Sequence, residues 1–251
     1  MSQRSRPGPR RWRSAFTHYD FYLQLGRPAA AAVTNAQLIQ QEAGASAISS
    51  ILLYAMYGYV DSTAAAEALA RVAPIADGPL ARDSSEREEQ YWGICGVEWW
   101  RLAHGDTRTA RAAIRRLAGS VTGCGVMLEA LLAAAEHRPD TNAAFARLDS
   151  LILAGGARPG WVMIVSRWRE AQGDIQGALR ATRQCDQYGW VLIRSYCLRE
   201  QGRLATLVGD RADAIKAYRH YLALRYNPEP SVKLEVDRVR AELAVLVGEP
   251  R

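Results

Sequence analysis

Four histidines and four cysteines are the side chains best equipped for chemistry in this chain of 251 residues. Acid–base or metal chemistry needs such groups to converge in a pocket that shifts their pKa values. His18, His104, His137 and His220 are far apart in sequence. Only His104 and His137 fall at comparable places, each closing the first helix of a predicted hairpin, with Glu136 beside one of them. Two imidazoles and a carboxylate on a rim make a poor metal site, and surface turns account for them. No H-E-x-x-H, G-x-S-x-G or supported carboxylate pair occurs. The expectation is therefore no catalytic residue, no metal site and no cofactor. Cys95, Cys124, Cys185 and Cys197 contain no C-x-x-C pair, and the closest two are twelve apart. Each lies in or beside an apolar stretch. They read as small hydrophobes in a reducing compartment, with Cys95–Cys124 the one pair that neighbouring hairpins could bring to bonding distance.

Composition narrows the partners. The chain is 49% hydrophobic with a net charge of +6, and Arg4, Arg6, Arg10, Arg11 and Arg13 supply five of those charges. With Pro7, Gly8 and Pro9 they form a basic tail, residues 1–13, of disordered composition. It reads as a solvated leader. An arginine tail can also hold phosphates, so a nucleic-acid-associated helical repeat is the alternative reading, though no basic groove with interleaved aromatics accompanies it. No run approaches the roughly 20 apolar residues that span a bilayer. A soluble, cytoplasmic protein is expected.

The elements that must position any site are set by alanine. Ala31, Ala65, Ala110, Ala144, Ala178 and Ala214 recur at intervals of 34, 45, 34, 34 and 36 residues. A period near 34 is that of a helix–turn–helix repeat. A single methyl at the crossing point lets two antiparallel helices approach closely. Alanine is common, 42 of 251 residues, so further registers are needed to establish the repeat. Five residues earlier stand Gly26, Val60, Gly105, Pro139, Gly173 and Gly209, followed in five copies by a capping aspartate: Asp61, Asp106, Asp140, Asp174 and Asp210. Four residues after the alanine come Asn35, Leu69, Ile114, Leu148, Thr182 and Tyr218, and three further on Leu38, Val72, Leu117, Leu151, Cys185 and Tyr221. That is one buried helical stripe per copy.

The spacing predicts six hairpins over residues 14–251: 14–25 with 28–41, 45–59 with 62–72, 86–104 with 107–118, 121–136 with 141–153, 161–172 with 175–187, and 190–208 with 211–225. Residues 73–85, containing Pro74, Gly78 and Pro79, are an irregular loop that accounts for the interval of 45. Residues 231–247 form a final helix with a wet outer face, as a terminal cap requires.

The stretch from Arg199 to Arg225 resembles a tetratricopeptide repeat, with Gly202, Ala205, Ala214, Tyr218, Tyr221 and Pro228 near that repeat's preferred small, aromatic and proline sites. The likeness extends back to about Tyr91. It is similar to the C-terminal tetratricopeptide tails of bacterial serine/threonine protein kinases and activator-type transcription regulators. The resemblance implies an all-α, right-handed α-solenoid of about six hairpins plus a capping helix. It also implies a sensory or partner-docking module in bacterial signalling or regulation, without catalysis. No kinase phosphate loop, V-A-I-K, H-R-D or D-F-G is present.

In that geometry the first helix of each hairpin lines the concave side. The candidate partner-groove residues are then Tyr54, Tyr57, Trp99, Glu129, Glu136, Arg167, Glu170, Arg199 and Arg203. Aromatic side chains at one end and alternating charges along the rest suit a protein or peptide segment. Trp92, Trp100, Trp161, Trp168 and Trp190 are assigned as wedges between hairpins. Charge reversal at Arg199 and Arg203 is expected to weaken partner capture.

Overall fold

The computed structural model describes residues 21–40, 44–58, 60–117, 123–155, 159–185 and 193–248. Among them the only regular elements are helices. A helical end at 21–24 leads into α1 (Pro28–Gln40), α2 (Ala45–Met56), α3 (Ser62–Asp77), α4 (Ser84–Ala103), α5 (Thr107–Leu117) and α6 (Cys124–Ala135). The rest are α7 (Thr141–Leu153), α8 (Pro159–Ala171), α9 (Ile175–Arg183), α10 (Arg194–Leu207), α11 (Arg211–Leu224) and α12 (Pro230–Val247). The basic tail and Trp190 lie outside the described residues.

Helices pack in sequential pairs: α2 on α3, α4 on α5, α6 on α7, α8 on α9, α10 on α11, with α12 against α11. All six register alanines are buried, none more than 1% exposed. The stripe continues through Val72, Leu117, Cys185 and Tyr221, all buried, and Leu151, half-buried. Asn35 and Leu38 have side chains outside the described set. Thr182 breaks the apolar pattern yet is fully buried, because its hydroxyl donates to the Leu179 carbonyl at 2.8 Å.

Turn chemistry sets the hairpins. Helices overshoot into a left-handed residue at Gly26, Gly58, Gly105, Gly155, Gly173 and Gly209, where a side chain would be strained. In the two turns without glycine at the register position, this residue sits two places earlier. Gly58 serves for Val60, and His137, at φ 52, serves for Pro139. Asp61, Asp106, Asp174 and Asp210 accept from the backbone N–H three residues on, at 2.9, 3.2, 2.7 and 3.2 Å. Asp140 does not cap. Its carboxylate is held by Arg138, at 2.9 and 2.6 Å.

The expected loop at 73–85 is shorter than its proline suggests. α3 continues through Pro74 to Asp77 and extends its buried stripe to Ala76. The turn beyond it is pinned from inside. Buried Gln90 donates to the Ile75 and Pro79 carbonyls, each at 2.9 Å, and accepts from Ala81 N–H at 2.8 Å. Arg116 donates to the Ala76 and Gly78 carbonyls at 2.9 and 2.6 Å. These donors satisfy carbonyls left open at the end of α3.

A rod-like stack keeps its ends apart, whereas this chain joins them. Gln24 accepts from Ser195 N–H at 2.8 Å, and Glu229 N–H donates to the Gly26 carbonyl at 2.8 Å. The Glu229 carboxylate accepts from Ala29 N–H at 2.7 Å and Ala30 N–H at 3.3 Å. An anion from the last turn thus caps the first full helix, where the helix dipole favours it. Between them lies Arg225, 1% exposed, over the Tyr221 ring and donating to Ser195 Oγ at 3.0 Å. A Cβ on Gly26 would stand 2.7 Å from its guanidinium, so glycine is required there for space as well as for φ.

The cysteines depart from expectation. Cys95 and Cys124 are bonded, joining α4 to α6, and so are Cys185 and Cys197, joining the end of α9 to α10. Their Cα–Cα separations, 5.8 and 6.4 Å, lie in the range for disulfides. The second pair escaped notice because a separation of twelve looked poor for metal and says nothing of two helices meeting side by side.

Candidate functional site: an aromatic cleft on the inner face

The predicted groove residues divide into two groups. Tyr54 is fully buried in the main core, so its place as a groove residue is corrected: α2 turns that face toward its neighbours. Tyr57, at the end of α2, lies at the back of a cleft and is 7% exposed. Its hydroxyl donates to the Gly160 carbonyl at 3.0 Å. Its ring meets Trp99 edge-on at 6.4 Å and Tyr196 at 4.6 Å. Arg167 of α8 lies over both tyrosines, its Cζ 5.4 Å from each ring centroid, and donates to the Tyr196 hydroxyl.

These side chains form one wall of a cleft of about 610 Å³. Trp99 comes from α4, Leu131 and Ala134 from α6, His137 and Arg138 from the turn after it, Phe145 from α7, and Arg167 and Trp168 from α8. Phe145 and Trp168 stack in parallel, ring centroids 4.6 Å apart at 7°. The Trp168 indole N–H is buried with no acceptor among the described residues. A buried, unsatisfied donor of this kind costs about 1–3 kcal/mol. His137 adds a second local cost, being the one described residue other than glycine with positive φ. Both costs fall on the cleft wall.

The charged members of the prediction sit differently. Glu129 pairs with Arg138 at 2.8 Å, and Glu136 with Arg111 of α5. Along α8 and α10 the groups interlock. Arg203 holds Glu170 through two bonds, at 2.8 and 2.7 Å, and Glu200 at 3.0 Å. Arg199 pairs with Glu200 at 3.3 Å and with Glu235 of α12, which also accepts from the Tyr221 hydroxyl. The bidentate hydrogen bond from Arg203 holds the Glu170 carboxyl below its ordinary range, against the opposing effect of burial. Arg199 and Arg203 are spent on the protein's own carboxylates.

The other lining residues, Phe145, Trp168 and His137 among them, are not in the predicted set. Phe145 follows a register alanine, and no sequence pattern singles it out. Trp168 was taken for a wedge, and His137 for a surface turn. The only sequence signal is that this turn, like the one at Val60, lacks glycine at the register position, where four sister turns carry it.

Among the described residues no group of three or more histidine, cysteine or acidic side chains is placed to hold a metal ion, and no helix is long and apolar enough to cross a membrane. Compared with known proteins, the chain matches no family model, no curated protein and no solved structure.

Proposed function

We propose that this chain is a non-catalytic docking module: tetratricopeptide-like hairpins, wound as a right-handed solenoid, that take a partner's peptide segment at the aromatic end of the inner face. The observation that carries the reading is the cleft between α4, α6, α7 and α8, open and walled by Tyr57, Trp99, Phe145 and Trp168. Its volume falls within the roughly 300–1,000 Å³ usual for binding sites, and aromatic side chains are the usual anchors of recognition. The likeness to the tails of bacterial kinases and transcription regulators supports a place in signalling. The tail arginines give the nucleic-acid reading no partner surface among the described residues, where the inner arginines 199 and 203 are already paired.

Selection from a displayed library of random peptides tests the docking reading. The chain should enrich peptides that compete for one site, and Trp99→Ala should lose at least tenfold in affinity while keeping its helical circular dichroism. A library that yields no such binder, or binders indifferent to Trp99→Ala, refutes it.

The two cross-links also favour an oxidising compartment for the folded chain over the cytoplasm.

A further inference from the structure

The charged residues that line the cleft are both arginines. Arg138, Arg167 and His137 line it, and no aspartate or glutamate is among its described lining residues. Arg138 is neutralised by Glu129 and Asp140. Arg167 is not: no carboxylate among the described residues lies within ion-pair distance, and its guanidinium is held by ring faces and a neutral hydroxyl. It nevertheless remains exposed. On α10, Arg203 is tied directly to Glu170 and Glu200, whereas the same two carboxylates act on Arg167 through charge alone, without an ion-pair contact.

A guanidinium fixed by stacking keeps N–H donors in a planar fork that fits a carboxylate, and little side-chain entropy remains to be lost on binding. The neighbouring walls offer flat apolar surface for a ring. We infer that the partner segment read here presents an aromatic side chain next to an aspartate or glutamate, the ring lying among Trp99, Phe145 and Trp168 and the carboxylate on Arg167. This rests on the docking reading and adds the chemistry of its partner.

The same displayed library separates the two claims. The peptides enriched by the chain should pair Phe, Tyr or Trp with a neighbouring Asp or Glu. Replacing that acid by its amide should weaken binding about tenfold, the loss of one charge-assisted contact. Arg167→Gln should abolish the discrimination between acid and amide, and Arg167→Lys should restore part of it, with thermal melts confirming that both variants fold. If peptides are enriched without acidic residues, or if Arg167→Gln leaves the acid–amide ratio unchanged, the arginine assignment fails while docking stands. If no peptide is enriched, docking itself fails and the inference with it. The pair 2-naphthoate and 2-naphthamide supplies the last arm. Displacement of the selected peptide only at naphthoate concentrations far above the peptide's own Kd supports a peptide occupant. Naphthoate binding as tightly as the peptide would make the occupant a free aromatic acid and overturn the peptide assignment.

Discussion

Two regions of the molecule are built on opposite plans. Around α8, α10 and α12, the groups Glu170, Arg203, Glu200, Arg199, Glu235 and Tyr221 form a chain in which each charge meets an opposite charge or a hydroxyl. Around α4, α6, α7 and the facing side of α8 the surface is aromatic, holds a cleft, and among the described residues places no carboxylate at ion-pair distance from Arg167. Alternating charges in a sequence suggest a surface that waits for a partner. Here they are the surface that has one already, within the same chain. The aromatic end is the one where, among the described residues, Arg167 has no carboxylate at ion-pair distance and the Trp168 indole N–H has no acceptor.

Each end carries one cross-link, and this supplies the largest test of the contrast. Cys95–Cys124 ties α4 to α6 beside the cleft, and Cys185–Cys197 ties α9 to α10 beside the charged end. They close loops of sequence separation 29 and 12. Restricting the unfolded chain in this way contributes roughly 2–4 kcal/mol per bond. Cys95→Ser with Cys124→Ser, and separately Cys185→Ser with Cys197→Ser, should each lower the melting temperature by several degrees. The first double variant should also weaken peptide binding at the cleft, and the second should not. Thiol titration of the denatured, unreduced wild-type chain should find no free thiol. Four titratable thiols would mean that the pairs are contacts, and would return the protein to a reducing compartment.

The next test reverses an expectation drawn from sequence. If Arg199 and Arg203 faced a partner, Arg199→Glu with Arg203→Glu would reduce capture at constant stability. Because they sit on Glu170, Glu200 and Glu235, reversal places like charges together. It should cost about 1–3 kcal/mol in denaturant unfolding while leaving the affinity of cleft-binding peptides within about twofold. Lost affinity in a variant of unchanged stability would show that both ends recognise the partner.

How much of this was legible in sequence follows from how local each device is. The alanine register, the aspartate caps and the glycine turns each act within a single turn, so spacing alone located them. The shift by two at Gly58 and His137 was hidden because a fixed register cannot tell a glycine that moved from one that was lost. α3 ran on past Pro74 because Gln90 and Arg116, on other helices, supply the donors that stabilise its end. The meeting of Gly26 and Glu229 joins segments near opposite ends of the sequence, which no local pattern encodes. Of the candidate groove residues, Tyr57, Trp99 and Arg167 line one cleft. Phe145 and Trp168 were missed because an aromatic on a helical stripe looks the same whether it fills a core or walls a cleft.

The smallest effect is also the most specific to the charged end. Arg203 holds the Glu170 carboxyl below its ordinary value of 4.5. A depressed native pKa contributes stability that is complete above the unfolded value and disappears as pH falls through the native one. Stability between neutral pH and about 5 should therefore be insensitive to this pair, and should fall from there toward acid. Both side chains are about a third exposed, which limits the contribution to roughly 0.2–1 kcal/mol. Arg203→Met should remove most of that portion of the acid slope, and Glu170→Gln in the same background should then remove only the small remainder owed to Arg167. Raising the salt concentration should shrink the effect in the wild-type chain and leave the double variant unmoved. Arg167 lowers the same Glu170 carboxyl by its charge alone, without a hydrogen bond, so Arg167→Met should lose a smaller part of the acid slope than Arg203→Met. An equal loss of acid slope in both arginine variants would mean that the two ends share one ion-pair network, and the contrast between them would dissolve.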